Sequence, residues 1–104
     1  MGKENKNDEC CIRYKETPRS AELQEDITKR INRITGQLGG IKNMVSENRY
    51  CGDILIQIAA VESALQNVGY LILQEHMNTC VAEKIKNGDE GIIEETMDLM
   101  KKLK

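Results

Sequence analysis

At 104 residues the chain is one small domain, near the size at which a lone core becomes marginal. It has no Trp, no Phe and one Pro. Ile, Leu, Val, Met and Ala therefore supply the apolar volume, which favours packed helices over a sheet and an obligate oligomer over a monomer. A net charge of −2 excludes a polycation, and the charge is uneven: residues 1–52 carry ten Lys/Arg against eight Asp/Glu, and residues 53–104 five against nine. Any nucleic-acid contact must then come from a local patch.

Residues 1–17 mix charges and Asn without apolar periodicity and are expected to form a flexible tail. The opening MGKENKNDECC is polar throughout, unlike a secretory signal. No segment reads as long and apolar enough to span a bilayer, so a cytoplasmic location without a membrane role is expected. The remainder, 18–104, reads as a single helical domain. Thr17-Pro18 and Ser20 mark a helix start, Pro being tolerated in the first turn and Ser a good N-cap. Leu23, Ile27, Ile31, Ile34, Leu38, Ile41 and Val45 then recur at spacings of three and four, which predicts a helix over about 20–46 with one apolar stripe.

A second helix is predicted over about 50–86. Ile54, Leu55, Ile58, Val61, Leu65, Val68, Leu71, Ile72 and Met77 give it an apolar face wide enough for two partners. Gly69 weakens it by about 1 kcal/mol without ending it. Asn87-Gly88 is the predicted stop, and Asp89 is the predicted cap of a short third helix, about 89–103, carrying Ile92, Ile93, Met97, Met100 and Leu103. Three unequal helices cannot bury a two-sided second helix. The expected fold is therefore all-α, with three helices per chain and an antiparallel four-helix-bundle dimer.

Four cysteines in a cytosolic chain read as metal or redox ligands before disulfides. Cys51, His76 (the only histidine) and Cys80 form a Cys-x24-His-x3-Cys pattern. Along one helix Cys51 and Cys80 lie roughly 43 Å apart at about 1.5 Å per residue, so they cannot meet within one molecule. At about 100° per residue, however, all three return to nearly the same face. Two antiparallel copies would bring Cys51 of one beside His76 and Cys80 of the other, with the two-fold axis near Leu65. Taken singly, each residue has an ordinary alternative: a helical Cys is usually a small buried hydrophobe, and a His near a helix C-terminus is favoured by the dipole. The coincidence of phase points to a soft-metal site shared across a homodimer. Two thiolates and an imidazole suit three-coordinate Cu(I), while zinc would need a fourth donor such as Glu75, Glu83 or water. Cys10 and Cys11, a vicinal pair in the tail, read as incidental or accessory thiols.

At these residues the chain resembles the copper-sensing repressor family (CsoR, of the CsoR/RcnR superfamily) over roughly residues 21–103. The resemblance rests on Arg33-Ile34-Thr35-Gly36-Gln37, on Tyr50-Cys51-Gly52-Asp53-Ile54-Leu55-Ile56-Gln57-Ile58-Ala59-Ala60, and on Glu75-His76-Met77-Asn78-Thr79-Cys80-Val81. It implies a dimer that pairs into a tetramer, represses transcription by binding operator DNA, and releases it when Cu(I) binds Cys51 of one protomer with His76 and Cys80 of the other. A copper chaperone could serve as metal donor. Cobalt and nickel sensors of the superfamily carry an extra N-terminal histidine, and the corresponding position here is Arg19. Persulfide sensors keep the two cysteines without the histidine. The resemblance also implies hydrogen-bond partners behind the ligands. Tyr50 is present, but the expected Glu is replaced by Thr96, which leaves Glu94 or Glu95 beside it as substitutes. Gly39 and Gln66 replace charged residues common in the family, thinning the expected basic surface.

On the first helix Lys29, Arg30 and Arg33 lie within about 100° of arc, and Gly36 and Gly40 share it, so backbone there could approach a phosphate. Gln37, Lys42 and Arg49 are further candidate contacts. No helix-turn-helix or zinc-finger pattern appears, so recognition is expected through phosphates and DNA shape. An enzyme is not expected, since a lone histidine in a helical interface offers no substrate cleft. Two competing readings are a persulfide- or thiol-redox-sensing repressor using Cys51 and Cys80, and a copper-buffering protein without DNA function.

Overall fold

The computed structural model describes residues 17–103; Cys10, Cys11 and nearly all of the predicted tail lie outside them. Three helical rods follow in chain order: α1 (Ala21–Ser46), α2 (Cys51–Lys86) and α3 (Ile92–Lys101). No strand occurs among the described residues.

Local chemistry sets each boundary. Ser20, in extended conformation, caps α1 by accepting the Leu23 N–H at 3.1 Å. Pro18 precedes this cap, so it stands outside the first turn rather than in it. At the other end Asn48 takes a left-handed conformation, φ 56°, and the N–H groups of Asn48 and Arg49 close on the carbonyls of Val45 and Met44. This is a Schellman turn with Asn in the place usually held by Gly. Gly88, φ 83°, ends α2 in the same way, its neighbour Asp89 bonding back to Lys84. Asp89 does not cap α3, because its carboxylate accepts the Gly91 N–H at 2.9 Å and the helix begins only at Ile92.

The four-residue connection folds α1 and α2 into an antiparallel hairpin. Ile27, Ile34, Val61 and Val68 form its core, flanked by Leu23, Ile41, Ala64, Leu71 and Ile72. The apolar stripe of α1 is therefore two rows. Leu23, Ile27, Ile34 and Ile41 face α2, while Ile31, Leu38 and Val45 stay 43–58% exposed. On α2 the Val61/Val68 row packs inward, whereas Leu55, Ile58 and Leu65 remain on the surface. At about 100° per residue those three share one face with Cys51 and His76. This doubly apolar character corrects one expectation: Cys51–Lys86 is long and apolar enough to cross a bilayer by length and composition. Its exposed apolar row equally suits the second helix partner that the hairpin lacks.

α2 is not a uniform α-helix. Met77–Val81 form a π-helical turn, continuing into Ala82–Lys86. Within it the Thr79 hydroxyl donates to the Glu75 carbonyl at 2.8 Å, a bond that competes with the backbone ladder. The wider turn accommodates an extra residue, so everything after it is rotated back by up to about 100° relative to an ideal α-helix.

Candidate metal centre

Cys51 is the first residue of α2, and its thiol is free and exposed. Tyr50 precedes it, 75% exposed, with its ring lying over Gly52 so closely that a Cβ there would fall 2.6 Å from Tyr50 Cε2. At the far end of the helix His76 closes the regular α segment and Cys80 lies in the π turn, both half-buried. Among the described residues of one chain, no three His, Cys, Asp or Glu side chains converge as a metal-binding group. His76 and Cys80 are brought together; Cys51 is not.

The C-terminal end of α2 is enclosed. α3 packs there through Ile92 and Thr96, both nearly inaccessible, and Leu103 sits over Gly69, where a Cβ would approach Leu103 Cδ2 to 2.7 Å. Thr96 Oγ1 lies 3.5 Å from His76 Nε2. Glu94 and Glu95, offered by the sequence as the carboxylate behind His76, are exposed, Glu95 at the wall of the cleft that His76 lines, while Thr96 faces the imidazole. Thr79 Oγ1 lies 3.7 Å from Cys80 Sγ. His76 and Cys80 line a cleft of about 850 Å³, whose wall also includes Arg19, Glu75, Glu83 and Glu95.

Two contacts across this cleft carry no signal in the local sequence pattern. Arg19 Nε stands 3.3 Å from Glu75 Oε1, an ion pair in which the carboxylate side chain is only 10% exposed. Thr17 Oγ1 donates to Glu83 Oε2, sixty-six residues away. Both acidic groups thus receive partners from the segment entering α1.

The basic residues divide. Lys29, Arg30 and Arg33 are exposed on one arc of α1, with Arg30 paired to Asp26 at 3.1 Å. Along the same arc a Cβ at Gly36 or Gly40 would meet nothing within 4 Å, so the backbone is open to approach. Lys42 lies about 140° around the helix from Lys29. Arg49 sits in the turn, 3.7 Å from Asp53. Gln37 lies on the arc of Arg30 and Arg33, half-buried, with Oε1 shielded from solvent and without a hydrogen-bond partner.

The model of the metal-sensitive transcriptional repressor family matches residues 23–102. The chain belongs to that family. Its members are transcriptional repressors rather than enzymes. The copper-sensing transcriptional repressor CsoR of Bacillus subtilis (strain 168) is 48% identical over 85 residues, 81% of this chain and 84% of that one. Among solved structures, the copper-sensing repressor CsoR with Cu(I) from Geobacillus thermodenitrificans NG80-2 superposes with TM-score 0.79 at 44% identity, covering 88% of this chain and 96% of that one. The nickel-responsive transcriptional regulator InrS superposes at 0.66 with 33% identity, covering 89% and 99%. This chain shares its helical architecture with both structures.

Proposed function

We propose that this chain is a cytoplasmic Cu(I)-responsive repressor that holds operator DNA without metal and releases it when Cu(I) is bound by Cys51 of one protomer with His76 and Cys80 of another. Residues 18–104 serve as the single sensing and DNA-binding domain. The observation that carries the reading is the separation of the donors: an exposed thiol at one end of α2 and a half-buried imidazole–thiol pair at the other. An exposed apolar row, Leu55, Ile58 and Leu65, runs between them. An antiparallel copy packed on that row covers the apolar surface and completes two sites by one operation. Two such dimers pair into the DNA-binding tetramer.

The donors fit the ion. Two thiolates and one imidazole form a soft set sufficient for Cu(I), which supplies the link between protomers when bound. With Nε2 directed at Thr96, His76 keeps Nδ1 for the metal. The copper-sensing repressors of Bacillus subtilis and Geobacillus thermodenitrificans are more similar to this chain than the nickel-responsive regulator is, and the family resemblance puts Arg19 where nickel sensors carry histidine. Lys29, Arg30 and Arg33, beside the open glycine backbone, supply the phosphate contacts. Lys42 and Arg49 contribute only where tetramer assembly brings them onto the DNA face.

Fluorescence anisotropy of labelled DNA, selected by the metal-free protein from a random pool, tests this reading. Cu(I) is expected to lower the wild-type affinity, whereas Cys51→Ala should stay on DNA at the same Cu(I) concentration. Equal release by both proteins would remove Cys51 from the switch.

A further inference from the structure

Thr96 meets His76 only where α3 lies in one register along α2, and a glycine two turns before His76 marks that register. Gly69 stands inside regular α-helix, and Gly88 is the only described glycine with positive φ. The conformational freedom of Gly69 is therefore unused, while its cost to the helix remains. What it supplies is room. A Cβ there would fall 2.7 Å from Leu103 Cδ2 and 3.5 Å from Cδ1. Among the described glycines only Gly69 has its missing side chain replaced from a distant part of the chain; Gly52 and Gly91 meet residues two positions away, and the others face open space. Leu103 is delivered by the last turn after α3, where the N–H groups of Lys102 and Leu103 bond the carbonyls of Leu99 and Met100, each at 3.1 Å.

The two contacts agree in register. His76 follows Gly69 by seven residues and Leu103 follows Thr96 by seven. Seating Leu103 on Gly69 therefore sets Thr96 opposite His76 when α3 runs antiparallel to α2. Between these points both elements line the cleft, Leu73 from α2 and Leu99 from α3. The Thr96–His76 approach, 3.5 Å, is at the long limit of a hydrogen bond, so a small slide or rotation of α3 breaks it. We infer that Leu103 seated on Gly69 is a register lock that holds Thr96 against His76 Nε2, making both positioning residues of the metal centre. Neither touches the metal, and the lock's role in copper binding rests on the reading of His76 as a ligand. Buried Ile92 and Thr96 anchor α3 at one end. Leu103 anchors the other and keeps the ten-residue helix from pivoting.

The test compares full-length wild type with Leu103→Ala, Leu103→Met, Gly69→Val and Thr96→Val, each checked for folding by circular dichroism. His76 is the only histidine, so its ring proton and nitrogen NMR signals report the Thr96 contact directly in metal-free protein. Leu103→Ala, which empties the socket, and Gly69→Val, which fills it, are expected to move these signals toward their Thr96→Val positions. Leu103→Met refills the socket and should leave them near wild type. A glycine without a socket would instead accept Val with a gain in helix propensity and no change at His76. Cu(I) affinity by chelator competition should fall by about tenfold in Leu103→Ala, the usual scale for groups behind a metal's ligands. Combining Leu103→Ala with Thr96→Val should cost no more than Thr96→Val alone, because both act through one contact. Losses that add in full, or His76 signals unmoved by Leu103→Ala, would overturn the lock. Absence of tight Cu(I) binding in wild type would overturn the copper reading instead, and the His76 signals would still decide the lock.

Discussion

The two ends of α2 carry the same kind of donor in opposite settings. At the N-terminal end Cys51 is exposed, in regular α-helix, between Tyr50 and Gly52, whose backbone the Tyr50 ring covers. At the C-terminal end His76 and Cys80 are half-buried in and beside a π turn, backed by Thr96 of α3 and bordered by the Arg19–Glu75 and Thr17–Glu83 contacts. In the proposed site one end presents a ligand and the other is a prepared receptacle. In the proposed antiparallel pairing each end would complete the other, giving a 104-residue chain with a thin core a specific site.

The comparison can be broken most strongly at Ile92, which is 4% exposed and pins α3 against the receptacle. Ile92→Ala is expected to cost about 2–5 kcal/mol of stability in chemical denaturation and to detach α3. Leu55→Ala, at a site 64% exposed in the single chain, should leave the hairpin's own helicity nearly intact and weaken dimerisation in sedimentation instead. Equal losses of helicity would mean that the exposed row supports the protomer rather than its pairing.

A smaller effect is expected at Thr96, which is 3% exposed and directs its hydroxyl at His76 Nε2. Thr96→Val keeps the shape and removes the oxygen. Cu(I) affinity by chelator competition should fall about tenfold, because the ring loses the group that orients it, while Tyr50→Phe at the open end should change it less. The opposite ranking would make the exposed end the prepared one.

Much of this architecture is legible in the sequence because it is set locally. Ser20, Asn48, and Asn87 with Gly88 terminate helices through bonds spanning three to five residues, and short spacings expose such chemistry. The two-sided character of α2 is visible for the same reason, and so is the phase agreement of Cys51 with His76. What escapes is decided at a distance or by competition. One apolar stripe on α1 is in fact two neighbouring rows, because only packing distinguishes Ile34 from Ile31. The π turn has no periodic signature, and it shifts the phase of Cys80 that ideal helix arithmetic supplies. Thr96 looks like a missing carboxylate until α3 is docked and its hydroxyl meets the imidazole. Gln37 reads as a surface residue beside Arg33, yet its side-chain oxygen is shielded from solvent. The partners of Glu75 and Glu83 come from residues at the other end of the chain.

Counting metal sites in mixed dimers tests the central claim most directly. A heterodimer of one Cys51→Ala chain and one Cys80→Ala chain is purified with two different affinity tags and titrated with Cu(I) against a competing chelator. Each parent homodimer lacks a ligand at both sites. The heterodimer retains one place where the intact Cys51 of one chain faces the intact His76 and Cys80 of the other. The account predicts one tight Cu(I) per heterodimer and none in either parent. A heterodimer that binds no tight Cu(I), while the wild-type dimer binds two, would show that the three ligands do not meet across the interface.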